Sequence, residues 1–475
     1  MIEKKGSSFD KVLNSVDILV LAFGAMIGWG WVVSSGGWIQ KAGTVGTVIG
    51  FIIGGIMIYF VGLTYAELTG AMPKCGGEHV FSYKAFGATG SFICTWAIIL
   101  SYIGVACFEA CSFPTIIQYI FPGFMKGYLY TVAGFDVYAT WLIVAVAMSV
   151  LITYVNIRGI KAAAILQTIL TVIIGVVGIV LAASSAVNGS ADNLSEHFII
   201  GSTQAESIKN ILSVAIVAPF FLFGFDVIPQ AAEEIKVPMK KVGRIIMMSI
   251  IFAVVFYAMV VFAIGYALNS KEIAESVNGT GLVAADAMAK MFGSSVMAKV
   301  LIIGGMCGIL TSWNSFVIGG SRAMFSMAEA YMIPPSFAKL HKKHKTPVNA
   351  LLLIGLLSVA APFFGRAMLV WIADSASMAC CTAYCLVSIS FLVLRKKEPD
   401  MPRPYKIKNY KLIGILASVL SGGMVLLYII PGSGCTLTSQ EWVITAGGTL
   451  LGIIFYIACK TKYKDRFGSI RETTD

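Results

Sequence analysis

Apolar stretches of about 20 residues, each long enough to cross the hydrocarbon core of a bilayer, recur from Val16 to Cys459. Twelve are expected, at 16–39, 44–68, 91–120, 137–157, 162–185, 208–232, 244–268, 296–327, 348–364, 367–393, 411–431 and 441–459. In lipid every backbone N–H and C=O must find its partner inside the protein, so single apolar spans of this length fold as helices. The predicted fold class is an all-α polytopic membrane protein. With 57% hydrophobic and 12% charged residues, a soluble globular chain is excluded. The polar opening MIEKKGSSFDK lacks the short apolar core of a cleaved signal peptide and is expected to be retained.

An even number of spans places both termini on one side, and basic residues choose that side. With both termini cytoplasmic, 28 of the 35 Lys and Arg residues lie at or beyond cytoplasmic helix ends. KKVGR (240–244), KLHKKHK (339–345) and RKKEPDMPRPYKIKNYK (395–411) alternate with basic-poor loops. The net charge of +11 thus resides in short juxtamembrane loops, which argues against nucleic acid as a partner and for the lipid bilayer. Of ten cysteines only Cys435 falls in an outer loop, so no disulfide framework is expected. His79, His197, His341 and His344 are placed in loops without metal-ligand spacing. The segment LVAADAMAKMFG (282–293) is amphipathic and is expected to lie flat on the membrane surface.

Two spans are interrupted. The first carries FGAMIGWGW (23–31), with three glycines in seven residues, although each glycine costs about 1 kcal/mol against alanine inside a helix. The sixth carries FFLFGFDVIP (220–229), where Gly224, Asp226 and Pro229 break an apolar run. Five helices separate the two breaks, and an odd number inverts the second set. Paired interruptions point to an inverted-repeat transporter with its site near the bilayer midplane. The expected division is 16–185 for the first five helices, 208–393 for the inverted second five, and 411–459 for two additional helices, all in one membrane domain. A broken helix frees amides that suit a carboxylate and carbonyls that suit an ammonium group or a sodium ion. Gly24 and Gly28 also form a G-x-x-x-G pair, which elsewhere only lets helices pack closely; Gly46, Gly50 and Gly54 show that use.

Four stretches in order resemble the amino acid–polyamine–organocation transporters, which have the leucine-transporter-like fold. They are GAMIGWG (24–30), MPKCGGEHVFSYKAFG (72–87), FGFDVIPQAAEEIKVP (223–238) and GGSRAMFSMAEAYMIPP (319–335). The resemblance implies a substrate site on the stretch Gly24, Met26, Ile27, Gly28, Trp29 and Gly30, with the amides of Trp29 and Gly30 on a carboxylate and the carbonyl of Met26 toward an amine. It also implies Phe220 as an aromatic gate, with Leu222, Phe223 and Gly224 on the broken part of the sixth span. Trp29 stands where the family has a small residue, so its bulk is expected to shrink the cavity or supply a cation–π face. His79 replaces a usual tyrosine, and little consequence is expected.

Charges inside the membrane need a reason, because each costs about 2.5–3.5 kcal/mol at the bilayer centre on insertion scales. Glu109 falls near mid-depth of the third span and shares a helical face with Tyr102 and Ala106. Asp226 follows the second break, and Asp374 lies in the outer half of the tenth span. Glu109 is a candidate for the site or for proton coupling, and the resemblance places Asp226 where some members carry an acid involved in proton response. A protonated or hydrogen-bonded tie between helices is the alternative for both and the expected role of Asp374. Glu67, Glu233 and Glu234, at helix ends, are expected to be solvated or ion-paired. Thr311 and Ser312 could supply hydroxyls to a sodium ion, although such groups commonly bond back to their own helix. Trp313 and Phe316 could wall the pocket. Some proton-coupled relatives have a lysine midway along the fifth helix; Ile174 stands at about that depth here, and no lysine occurs between Lys161 and Lys209.

The expected function is secondary active transport of a small amino acid across the cell membrane by alternating access, as symport or exchange coupled to H⁺ or Na⁺. The alternative is a permease for a cationic amine of the polyamine or ethanolamine kind; a membrane sensor that binds without transporting is more remote. An enzyme is not expected, since no nucleophile–base or metal constellation appears, and neither is a cofactor.

Overall fold

A computed structural model describes residues 9–433 and 435–469. The opening MIEKKGSS, on which part of the signal-peptide expectation rests, lies outside them. The chain is a multi-pass bundle. Ten helical stretches among the described residues are long and apolar enough to cross a membrane, and two shorter apolar helices accompany them.

The first span divides into α1 (Ser15–Met26), α2 (Gly30–Val33) and α3 (Ser35–Ala42). Asn14 starts α1 with a capping box, its side chain accepting from the Val16 and Asp17 amides while Asp17 accepts from the Asn14 amide. Then come α4 (Thr44–Ala71) and α5 (Glu78–Ile120). Helix α5 begins thirteen residues before the expected span and contains a corner at Gly87, whose φ of +77° is one that glycine adopts without strain. His79 is therefore not in a loop. It sits buried in the first turn of α5, where the Ser91 hydroxyl donates to its carbonyl at 2.7 Å. A two-stranded antiparallel hairpin, β1 (Tyr128–Val132) and β2 (Phe135–Tyr138), follows. Its period-2 signal is too short to stand out between apolar spans.

Helices α6 (Ala139–Ile157) and α7 (Ile160–Asn188) precede a short α8 (Ala191–Glu196). The sixth span is again in pieces: α9 (Gln204–Val217), a 3₁₀ turn (Ala218–Leu222), extended backbone at Phe223, and α10 (Val227–Gln230). The remainder comprises α11 (Met239–Ala267), α12 (Ser270–Asn278), α13 (Val283–Phe292), α14 (Ser295–Glu329), α15 (Val348–Ala360), α16 (Ala367–Lys397), α17 (Tyr410–Ile429) and α18 (Ser439–Lys462). Helix α13 corrects the expectation of a surface-lying segment. Val283, Ala284, Ala285, Ala287, Met288 and Met291 are buried against the protein itself, so its apolar stripe is satisfied by neighbouring helices rather than lipid.

Glycines set the closest approaches. A Cβ at Gly46, Gly50 or Gly54 would meet Ile211, Val214 or Ala218 at 3.3, 2.9 and 2.7 Å, which confirms that this row of α4 faces the sixth span. Both described ends of the chain reach the same end of α14: Phe9 packs on Phe325 at 4.9 Å, and the Gly468 amide donates to the Ala330 carbonyl at 2.8 Å. There the Val12 and Leu13 amides donate to the Glu234 carbonyl, both at 2.9 Å, strapping the N-terminal segment to the end of the sixth span.

Candidate functional site

The two interruptions meet. Gly224 has φ of +131°, and a Cβ there would lie 2.5 Å from the Cβ of Ala25, so glycine is required both by the backbone conformation and by the contact. On the first span, α1 ends at Met26, and the amides of Trp29 and Gly30 donate to no acceptor among the described residues. The carbonyl of Met26, freed by the break, accepts from the Tyr257 hydroxyl of α11 at 3.2 Å.

A cavity of about 180 Å³ opens beside this crossing. Nine of the expected residues line it: Met26, Gly28, Trp29, Gly30, Glu109, Phe220, Phe223, Ser312 and Phe316. The Trp29 ring lies over Gly305 of α14, where a Cβ would come within 2.3 Å of it, so much of its bulk is absorbed by helix packing. Gly28 stands between Glu109 and Ser312: a Cβ on it would be 3.4 Å from Glu109 Oε1 and 3.9 Å from Ser312 Oγ. Glu109 is buried, and its Oε2 has no hydrogen-bond partner among the described residues.

The other expected residues are elsewhere. Gly24 is a packing point, with a Cβ there falling 2.4 Å from Gln167 Nε2. Ile27 and Leu222 are buried beside the breaks without reaching the cavity, as are Ala106 and Trp313 on their helices. The Thr311 hydroxyl donates to the Gly308 carbonyl of its own helix at 2.9 Å, and only its neighbour Ser312 faces the cavity. Asp226 is also outside. It accepts from the hydroxyls of Tyr102 and Tyr384 (2.6 Å for the latter) and from the Gly224 amide at 3.0 Å, so it closes the break upon itself. Tyr102 serves that clamp rather than the cavity. Asp374 is half-buried on α16 and does not line the cavity.

Sequence reasoning missed several walls: Phe108 and Val105 beside Glu109, Phe221, Tyr257, and Ile372 and Ala376 of α16. Phe221 was visible in principle, as the middle of the run FFLF; a Cβ on Gly30 would lie 2.3 Å from its ring. Tyr257 left no signal, being one more aromatic in an apolar helix.

Toward the end of α14 where the termini meet, the molecule is packed shut. Ten residues beyond Ser312, about 15 Å along the helix, Arg322 makes a bidentate pair with Glu234, both contacts at 3.1 Å and both side chains buried. Glu67 is held likewise by Arg395 at 2.7 Å and Arg403 at 3.1 Å. These acids are ion-paired, as their helix-end positions implied, and a buried carboxylate needs such a partner.

Residues 13–456 match the protein family described as "Amino acid permease". The chain belongs to the amino acid permease family. This permease is 28% identical over 424 residues to a branched-chain amino acid permease of Bacillus subtilis (strain 168), 86% of each chain being covered. It is 25% identical over 457 residues to a methylthioribose transporter of the same strain, covering 95% of each, and 24% identical over 469 residues to an aspartate-proton symporter, covering 97% of this permease and 85% of the symporter. Members of this family are transporters rather than enzymes, and the permease resemblance drawn from the four motifs holds over nearly the whole chain.

Proposed function

We propose that the chain is a secondary transporter that carries a small amino acid with an apolar side chain across the cell membrane by alternating access. The observation that carries this reading is the cavity where the two interrupted spans touch. Freed peptide groups at Trp29 and Gly30 suit a carboxylate, while the Met26 carbonyl, the Ser312 hydroxyl and Glu109 suit an ammonium group. Phe220, Phe221, Phe223 and Phe316 offer an apolar wall for a side chain. The branched-chain permease among the relatives supports an apolar cargo; the other two relatives carry quite different ones.

In this reading the chain has twelve spans, α1 to α3 counting as one and α15 as another. Residues 16–185 and 208–393 are the two inverted repeats, residues 411–459 are additions, and both termini are cytoplasmic. Packing toward the termini belongs to a state closed on that side. A second reading, a cationic amine as cargo, is favoured by one observation: Glu109 lines the cavity, and no Lys, Arg or His does.

Purified protein in proteoliposomes decides between them. Counterflow of labelled leucine, competed by neutral apolar amino acids, is expected. Competition by diamines alone would transfer the case to the amine reading, and no counterflow of any amino compound would end both.

A further inference from the structure

Glu109 keeps different company from the other buried acids among the described residues. Glu67 and Glu234 face arginines, Asp226 collects three donors, Glu78 accepts from Gln230, and Glu441 accepts from the Thr438 amide at 2.6 Å. Glu78 also keeps one oxygen, Oε1, without a hydrogen-bond partner among the described residues, but away from the cavity; of these acids Glu109 alone lines it, with Oε2 unpartnered. The groups around it are the Gly28 peptide from the first break, Ser312 from α14, the phenol of Tyr257 from α11, and the apolar Val105 and Phe108 of its own helix. No Lys, Arg, His or second carboxylate shares the lining.

That inventory constrains which states can close. An isolated charge is strongly disfavoured once water leaves a low-dielectric cavity. A zwitterionic amino acid brings equal and opposite charges, so closing over it with Glu109 ionised would seal in one net negative charge. Closing over it with Glu109 protonated seals in none.

Resting on the permease reading above, we infer that Glu109 is the residue that takes up the co-transported proton. A proton from water on the entry side adds to the carboxylate as the substrate binds, crosses with it, and is released to water on the far side. The empty protein returns with Glu109 ionised and solvated by water that occupies the cavity in place of the substrate, so the charge is not left dry. Each cycle thus moves one positive charge along with a neutral amino acid. A cationic amino compound would bring its own charge and need no proton.

Proteoliposomes holding the full chain test this with leucine as probe. Wild-type protein is to show leucine counterflow, inward accumulation under an inward proton gradient, and leucine-dependent proton entry. E109Q is to lose proton-driven accumulation and proton entry by at least about tenfold, with counterflow reduced but detectable. E109D is to restore proton-driven accumulation with a displaced pH midpoint. E109Q that accumulates leucine and carries protons as wild type does would overturn the inference. So would wild-type accumulation driven by sodium and indifferent to the proton gradient. Should E109Q bind nothing, E109D accumulating without pH dependence overturns it instead. Absence of wild-type counterflow would strike the permease reading, which is a distinguishable failure.

Discussion

Glu109 and Asp226 are 4% and 0% exposed, each a carboxylate within a membrane bundle, yet they live in opposite surroundings. Asp226 is spent on structure: two tyrosine hydroxyls and a backbone amide use its oxygens to hold the second break in shape. Glu109 borders a cavity and leaves an oxygen without a partner. Burial alone therefore does not distinguish a functional acid from a structural one; an unengaged oxygen facing a cavity does. By that criterion the region around Asp226 is a finished joint, and the region around Glu109 is completed by what binds there.

The comparison breaks most readily at Asp226. Asp226→Ala orphans three buried donors, and leaving such groups unsatisfied costs about 1–3 kcal/mol each. The apparent melting temperature in detergent should fall well below that of E109Q, which orphans nothing comparable. Equal melting temperatures for the two variants would erase the distinction.

A smaller effect separates the two glycines of the first span. Gly24→Ala puts a Cβ 2.4 Å from Gln167 and 2.8 Å from Thr171, whereas at Gly28 the nearest atom is 3.4 Å away. Overpacking costs about 1–3 kcal/mol, so Gly24→Ala should destabilise the protein clearly while Gly28→Ala melts near wild type and alters leucine affinity. The reverse order would exchange the packing and site roles assigned to them. Smallest is Tyr257→Phe, which removes one hydrogen bond to the Met26 carbonyl, worth about 1 kcal/mol. A drop in stability far beyond that would mean that Tyr257 holds more than the end of α1.

Much of this was legible in the residues. The spans followed from apolar length, and the breaks at GAMIGWG and FGFDV followed from glycine and proline where helix was otherwise dictated. What could not be read was how side chains on different helices share donors. Asp226 and Glu109 look alike in one dimension because nothing local announces that Tyr102 and Tyr384, on α5 and α16, converge on the first and not the second. The same limit hid Tyr257 from the cavity wall and left α13 on the membrane surface, since an amphipathic helix looks the same whether lipid or protein covers it. The left-handed corner at Gly87, which lengthens α5 and buries His79, was concealed within a segment whose polarity resembled a loop.

The cavity between the two breaks receives the substrate in the proposed cycle. Val105 lines it, half-buried, on the helix that carries Glu109, and Val105→Trp would fill much of its 180 Å³. Equilibrium binding of labelled leucine to purified protein measures the consequence. Val105→Trp is expected to lose at least about tenfold in affinity, with elution profile and melting temperature close to wild type. Unchanged leucine affinity in a correctly folded Val105→Trp would contradict that role for the cavity.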